Sequence, residues 1–386
     1  MIFSFLLVYL ARFRELNQRS KICKVNCQYN YLTIILTIVL TIMYNEPMLK
    51  PKYSLTSKLL ENVSAVERLY GQIEQLRLPR SLWLNLERNN LIHSAYASNS
   101  IEGNSLSLPE VTNLLLGGRV PATRDEKEVT NYFAILKKLS SFKELDLKTL
   151  LAVHKELLTG VKDKIAGKIR NSVVVVGNRI QTPRGADIIV KHKPPFHEKA
   201  QIEKQLRKLF DWANASNQTL PILKAGIFHH QYVFIHPFVD GNGRTCRLLT
   251  ALLLIQNGYQ INKYFVLDDF YDTDRREYSD ELSTADKGDL TQWLEYFTDG
   301  LKYSLQSAID RAANSLSEVS VSMRLTPRES QVLDKFASLG EFTSGDVIKF
   351  LKVSRQQVNT ILKGLIEKGR IEKRGGNTKG AFYKIL

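Results

Sequence analysis

From Leu55 onward, apolar positions recur at helical spacing in stretches separated by short polar breaks. Leu59, Leu60, Val63, Val66 and Leu69, three and four residues apart, predict a first amphipathic helix. Leu82, Leu84, Leu86 and Leu91 continue in a second that runs toward Ser98 and stops at Gly103 and Asn104. Pro109 opens the next, with Ser107 as its cap. Further helices fit Asp125 to Phe142, Leu147 to Thr159, His197 to Ala213, Pro221 to Ile235 and Thr245 to Ile255. An acidic loop, Asp268 to Asp274, precedes a helix carrying Tyr278 and Leu282, and another helix lies around Trp293 to Lys302. One pattern has period two. Ser172 to Val176 and Asp187 to Val190 flank a polar turn with Gly and Pro, which predicts a hairpin in an otherwise helical domain.

The pattern changes again after the Ser- and Ala-containing stretch Ser304 to Ser322. Pro327 opens a helix carrying Val332, Leu333 and Phe336. Thr343 opens one with Val347, Ile348 and Leu351, and Ser354 caps a third with Val358, Ile361, Leu362 and Leu365. Gly369 to Lys373 and Ala381 to Ile385 then alternate across a Gly-rich turn. Three helices and a hairpin predict a winged helix-turn-helix. The expected fold class is therefore mainly α, a helical core with a β-hairpin, plus a small α+β module. The expected organisation is an N-terminal extension (1–47), a helical region (48–144), a core (145–303), a linker (304–323) and the winged module (324–386).

Composition adds two constraints. The 386 residues are 44% hydrophobic and 24% charged, ordinary for a folded soluble protein, and the net charge of +15 favours polyanionic partners. Three cysteines, Cys23, Cys27 and Cys246, cannot build a disulfide framework, which fits a reducing cytoplasm. The N-terminus is less ordinary. Met1 to Ala11 and Tyr31 to Tyr44 are apolar runs, both shorter than the roughly 20 residues of a membrane-spanning helix. The first lacks a basic region ahead of it, as a secretory signal requires. The second follows Arg19, Lys21 and Lys24 and leaves a weak anchor open. The preferred expectation is that translation begins at Met43 or Met48, and that the protein is not membrane-bound.

The chemistry concentrates in Ile235-His-Pro-Phe-Val-Asp-Gly-Asn-Gly-Arg-Thr-Cys-Arg247. Pro237 disfavours a helical His236, so the preceding helix ends there and projects the imidazole into a loop. Gly241 and Gly243 allow close approach to the backbone, and the Gly241-Asn242-Gly243 turn presents its N–H groups at a helix N-terminus, an anion site. Arg244 and Arg247, three apart, share a helix face and can reach one phosphate chain. Asp240 suits Mg²⁺, which takes one or two carboxylates plus phosphates. A base, a carboxylate, a phosphate cradle and two guanidiniums are the parts of phosphoryl or nucleotidyl transfer. A hydrolytic metal site built from His229, His230, His236 and Asp240 lacks the further carboxylates or cysteines that would complete a ligand set. His229 reads instead as a core histidine supporting the loop.

At these residues the chain resembles the Fic family, whose signature is His-x-Phe-x-(Asp/Glu)-Gly-Asn-Gly-Arg-x-x-Arg. His236, Phe238, Asp240, Gly241, Asn242, Gly243, Arg244 and Arg247 fill every fixed position. The resemblance runs from about Tyr53 to Tyr303 and includes the hairpin, which looks like the family's target-docking flap. It implies a protein adenylyltransferase that uses ATP and Mg²⁺ and transfers AMP to a Ser, Thr or Tyr hydroxyl of a protein. His236 would take the hydroxyl proton, Phe238 would anchor the loop and Asp240 would hold Mg²⁺. The turn would cradle the phosphates, with Arg244 on the β-phosphate side and Arg247 on the γ-phosphate. Tyr278 and Leu282 stand where relatives contact the base; ordinary core packing explains them equally well. Ser98-Asn99-Ser100-Ile101-Glu102-Gly103 resembles the inhibitory pattern (Ser/Thr)-x-x-x-Glu-(Gly/Asn), which implies that Glu102 pairs with Arg247 and repels the γ-phosphate. In some relatives the same Glu assists AMP removal, and relatives often dimerise, so a de-modifying activity and a homodimer are further expectations. Arg355, Lys363, Lys368, Arg370, Lys373, Arg374 and Lys379 lie on the third C-terminal helix and its wing, the surfaces that meet DNA phosphates in such modules. The alternative function is a DNA-binding regulator whose core serves as a sensor.

Overall fold

The computed structural model describes residues 49–182, 185–215, 219–322, 325–337, 340–375 and 381–386. The chain divides into two compact units, Met1–Pro51 and Lys52–Leu386. Nearly all of the first, with both apolar runs and Met43 and Met48, lies outside the described residues. Among the described residues, no helix is long and apolar enough to cross a membrane.

The second unit begins with α1 (Ser57–Glu74), α2 (Arg80–Ile101), α3 (Leu108–Gly117), α4 (Arg124–Lys138) and α5 (Leu147–Leu158). Their starts are set by side chains that satisfy orphan N–H groups. Thr56 caps α1 and Asp146 caps α5, while Ser107 with Glu110 and Thr123 with Glu126 form reciprocal capping boxes on α3 and α4. A hairpin of β1 (Val176–Thr182) and β2 (Gly185–His192) follows, then α6 (Lys199–Asn214), α7 (Pro221–Ile235) and α8 (Asn242–Gln256). α7 and α8 pack against each other and are buried nearly all round, with polar residues such as His229, His230, Arg244 and Arg247 among the buried ones. α9 (Asp268–Thr273), α10 (Arg275–Ala285) and α11 (Thr291–Ser322) complete the core. α11 reaches α7 closely because Gly226 has no side chain: a Cβ there would lie 2.8 Å from Leu294. Trp293 donates its indole N–H to the Gly226 carbonyl at 2.7 Å.

Three expectations need correction. The first hairpin strand starts at Val176, not at Ser172. Arg170 donates to the Ser172 carbonyl, which holds the start of this segment near the site loop. Val173 and Val175 are exposed, and pairing begins where Val176 meets His192. The acidic loop is helix α9, whose first-turn Asp268 and Asp269 complement the helix dipole. The stretch expected to be a linker, 304–323, continues α11 as far as Ser322, because Leu301, Leu305, Ala308 and Ala312 keep a buried helical stripe.

Beyond it lie α12 (Pro327–Phe336), β3 (Glu341–Phe342), α13 (Ser344–Leu351), α14 (Arg355–Glu367), β4 (Ile371–Arg374) and β5 (Phe382–Ile385). The antiparallel sheet has the order β3-β5-β4. Val332, Phe336, Val347, Val358, Leu362, Leu365, Ile371 and Tyr383 form part of a core of their own.

Candidate active site

α7 ends where Pro237 ends it: His236 is its C-cap, in the left-handed region at φ 51°, and its N–H still reaches the Tyr232 carbonyl. That conformation is costly for a non-glycine residue and persists only where the surroundings over-determine it. Here they do. Arg170 donates to the carbonyls of Ile235 (3.2 Å) and His236 (2.6 Å), and its own N–H reaches the Pro237 carbonyl. Asn242 closes the loop from the far side, its amide accepting from Phe238 N and donating to Phe238 O, both at 2.9 Å. Phe238 is fully buried and stacks on His154 with ring centroids 3.5 Å apart. Gly167 N–H donates to His154 Nδ1, so the other ring nitrogen, Nε2, carries the proton and donates to the Asp240 carbonyl at 2.9 Å. Burial holds the His154 pKa at about 4, which keeps this tautomer neutral.

α8 begins inside the glycine turn. Gly241 is its N-cap with φ 78°, and Asn242 and Gly243 form its first turn, so their N–H groups stand at the positive end of a 15-residue helix. The turn borders a cavity of about 540 Å³, whose walls also include Glu102, His192, His236, Arg247, Arg276, Tyr278 and Ser283. That size suits a small-molecule ligand.

The two arginines separate. Arg244 is buried at 2% exposure, 3.2 Å from Glu128 and 3.3 Å from Asn99 Oδ1, and it is not among the cavity's lining residues. Arg247 faces the cavity and is held by Ser98 through Oγ (2.7 Å) and O (2.8 Å). It pairs with Glu102 at 2.9 Å and lies 3.6 Å from Asp268. Burial would lower the Arg247 pKa, but Glu102 and the groups around it outweigh burial and raise it. Glu102 is the C-cap of α2, and Gly103 beyond it has φ 87°. A Cβ on Gly243 would overlap Glu102 Oε1, so this carboxylate lies directly over the first turn of α8.

Asp240 sits at the loop edge. One oxygen accepts from Gly241 N at 2.6 Å and the other pairs with Lys162. Burial alone would raise its pKa; Lys162, Arg244 and the Gly241 N–H together lower it. Among the described residues, no group of three or more His, Cys, Asp or Glu could hold a metal ion. His229 is a core residue, donating to or accepting from Tyr278 OH at 2.8 Å and Thr250 Oγ1 at 3.1 Å. Tyr278 is buried and stacked on Tyr271, and it also lines the cavity.

Several neighbours have no signature in the sequence. His192, at the end of β2, faces the Phe234 carbonyl through Nε2 (3.0 Å) and the Asp286 carboxylate through Nδ1 (2.6 Å). Both ring nitrogens are thus engaged, one by the carbonyl and one by the carboxylate. It stands 6.5 Å from the His236 ring, centroid to centroid. Burial first, then His192, lowers the His236 pKa to about 4. His230 shares Asp286 at 3.1 Å, and Lys191 pairs with Asp280, so two adjacent residues of β2 bind the helix that carries Tyr278.

Residues 144–254 match the family model described as Fic/DOC. The chain is 31% identical over 253 residues to protein adenylyltransferase fic-1 of Caenorhabditis elegans, covering 62% of this chain and 46% of the relative. The Caenorhabditis briggsae protein of the same name is 28% identical over 295 residues, 73% and 53%. The chain thus spans about half the length of these curated relatives. A crystal structure of a Fic family protein from Desulfovibrio desulfuricans G20 superposes with a TM-score of 0.60 at 25% identity, over 88% of this chain and 98% of that one. The structure of Fic-1 residues 134–508 from C. elegans shares the fold, with a TM-score of 0.54 at 24% identity, over 76% and 79%. The segment that matches the Fic/DOC family, residues 144–254, contains the whole loop from His236 to Arg247.

Proposed function

We propose that this protein transfers AMP from ATP to a side-chain hydroxyl of a protein, and that Glu102 restrains it. The observation that carries this reading is the pairing of Glu102 with Arg247 directly over the glycine turn. A carboxylate there neutralises a buried guanidinium and covers a helix N-terminus, the two features that attract phosphate oxygens. The relatives named protein adenylyltransferase supply the nucleotide and the group transferred.

The residues support the chemistry as follows. The target hydroxyl oxygen attacks the α-phosphorus, His236 takes its proton and pyrophosphate leaves. His236 is neutral at physiological pH because burial and His192 hold its pKa near 4. The negative charge of a bound triphosphate raises it again, toward the range where a general base is most effective. Arg247 and the N–H groups of Asn242 and Gly243 hold the phosphates once Glu102 withdraws. Arg244 acts behind the loop, between Glu128 and Asp240. Asp240 offers the single carboxylate that Mg²⁺ needs beside phosphate ligands, and its pairing with the Lys162 ammonium supports that role. Mg²⁺, when bound, neutralises phosphate charge. Tyr278 and Leu282 line the cavity and suit the base. Residues 324–386 read as a winged helix, on three helices and an antiparallel sheet.

The test uses α-labelled ATP, Mg²⁺ and three proteins: parent, Glu102→Gly, and Glu102→Gly with His236→Ala. Label on protein in the Glu102 variant alone supports both transfer and restraint. Equal labelling of parent and Glu102→Gly removes the restraint, and absence of label from a variant that still binds ATP removes AMP transfer.

A further inference from the structure

AMP transfer leaves the C-terminal module unused, and its charges are unevenly spread. Residues 325–354 carry four Lys and Arg against four Asp and Glu; residues 355–386 carry eight against two. The whole positive excess of the module therefore lies from Arg355 onward. Of the two acids, Glu367 stands 3.7 Å from Lys363 and Glu372 bonds Arg374 at 3.0 Å. Lys368 is turned inward, where its ammonium meets the buried Glu329 at 2.5 Å and ties α14 to α12. Arg355, Arg370 and Lys373 are exposed with no carboxylate partner among the described residues.

α13 and α14 are joined by a three-residue turn, Lys352 to Ser354. Lys352 adopts the left-handed region at φ 53°, which turns the chain sharply, and Ser354 with Gln357 forms the capping box that starts α14. This is helix-turn-helix geometry. α14 buries Val358, Ile361, Leu362 and Leu365 against the module's core. Its other face shows Arg355, Gln356, Asn359, Thr360 and Lys363, all exposed. That face has no carboxylate before Glu367 and no large apolar group in its first two turns. A solvated helix face in this chain's style would mix signs, as α1 does with Lys58, Glu61, Glu67 and Arg68, all exposed. Uncommitted amides between cations have a specific complement: Asn and Gln match adenine N6 and N7, Arg and Lys match guanine O6 and N7, and cations at the rim match phosphates.

We propose that α14 is a reading helix that enters the major groove of duplex DNA, with Arg355, Gln356, Asn359 and Lys363 toward base edges and Arg370 and Lys373 on the backbone. The binding is separate from the nucleotide cavity and does not rest on AMP transfer.

The full chain is tested by selection from a pool of randomised duplexes, then by fluorescence anisotropy on the enriched duplex and on a scrambled one across a salt series. The expected result is an enriched sequence bound with steep salt dependence. Asn359→Ala then reduces the preference for that sequence roughly five- to hundred-fold. Arg370→Ala with Lys373→Ala weakens both duplexes alike and lowers the salt slope by about two. The proposal is overturned by the absence of salt-dependent duplex binding. It is also overturned by equal binding to single-stranded RNA, or by a sequence preference that Asn359→Ala and Gln356→Ala leave intact, as a module that docks protein would give.

Discussion

α8 and α14 both begin with polar residues in their first turns, and both carry arginines, yet they use them in opposite ways. α8 buries Asn242, Arg244, Thr245 and Arg247 along with its apolar residues. α14 buries only Val358, Ile361, Leu362 and Leu365 and leaves Arg355, Gln356, Asn359 and Lys363 in solvent. Around α8, Arg247 has Ser98, Glu102 and Asp268, Arg244 has Glu128 and Asn99, and Asn242 clamps Phe238. Such a site is preorganised: its geometry is fixed before a ligand arrives, and its polar groups act in a medium that screens them poorly. An uncommitted face on a self-contained scaffold suits an extended partner that supplies the missing contacts itself. The same residue types thus fit small-ligand chemistry in one place and surface recognition in the other, according to what the rest of the fold packs against them.

The comparison is broken most severely at His236. In the Glu102→Gly background, His236→Ala should lower transfer about 10²- to 10⁴-fold, the range of a lost general base. ATP binding measured by calorimetry should change little. Loss of ATP binding instead would make His236 a ligand-holding residue. The next effect is on stability. Glu128→Ala leaves the Arg244 guanidinium buried, with Asp240 as its nearest remaining carboxylate, 3.7 Å away. Breaking one side of such a pair costs about 3–5 kcal/mol, readable by urea unfolding. A cost below about 1 kcal/mol would show that the site is far less rigid than its contacts imply.

These dependencies explain what was legible in the sequence. His236 to Arg247 is contiguous, so the turn, the helix start and the base stand in one readable string. Glu102 was legible because it also sits in a short pattern at a helix end. Arg170, His192, His154 and Lys162 were not. They meet the loop from 66 to 86 residues away, or Asp286 from 94, and no local spacing marks them. Arg170 follows Lys162, Lys164 and Lys168 ahead of an apolar run, and nothing local sets it apart from them. That run misled the strand register, because Val173 and Val175 face solvent while Arg170 keeps the backbone near His236. The helical stripe through Ala308 and Ala312 was likewise hidden by the serines between. Helices α12 to α14 were readable throughout, since their caps and apolar faces are local.

Two pH experiments sharpen the picture of the site. The His154 pKa is depressed by burial from 6.5 to about 4. The unfolded chain therefore binds a proton that the folded one refuses, and stability rises with pH between those values. The contribution is full above about pH 6.5 and is lost as pH falls toward 4. It is on the order of 3 kcal/mol for a shift of this size. His154→Gln should flatten the acid limb of the unfolding curve; an unchanged limb would mean that His154 does not refuse the proton. His192 should produce a smaller effect. Transfer needs neutral His236, so activity falls as pH drops through its pKa, and His192, 6.5 Å away, pushes that limb downward. His192→Gln should move the limb up by as much as about one pH unit. A limb that stays in place would show that the ring serves only to join β2 to α10.

The smallest effect is expected on the outward face of α14, where it tells most about the contrast. Arg355→Ala and Lys363→Ala remove charges that hold nothing inside the fold. Arg355 has no carboxylate partner among the described residues, and Lys363 has only an exposed neighbour, Glu367, at 3.7 Å. Surface changes of this kind stay within about 0.5 kcal/mol, and an exposed i,i+4 pair accounts for about 0.3–0.5 of that. Unfolding and AMP transfer should therefore match the parent. A loss beyond about 1 kcal/mol would mean that this face is already committed within the chain, and its cations would then be structural like Arg244. An unchanged fold leaves a helix whose polar residues have no internal task, which is the condition for reading something outside it.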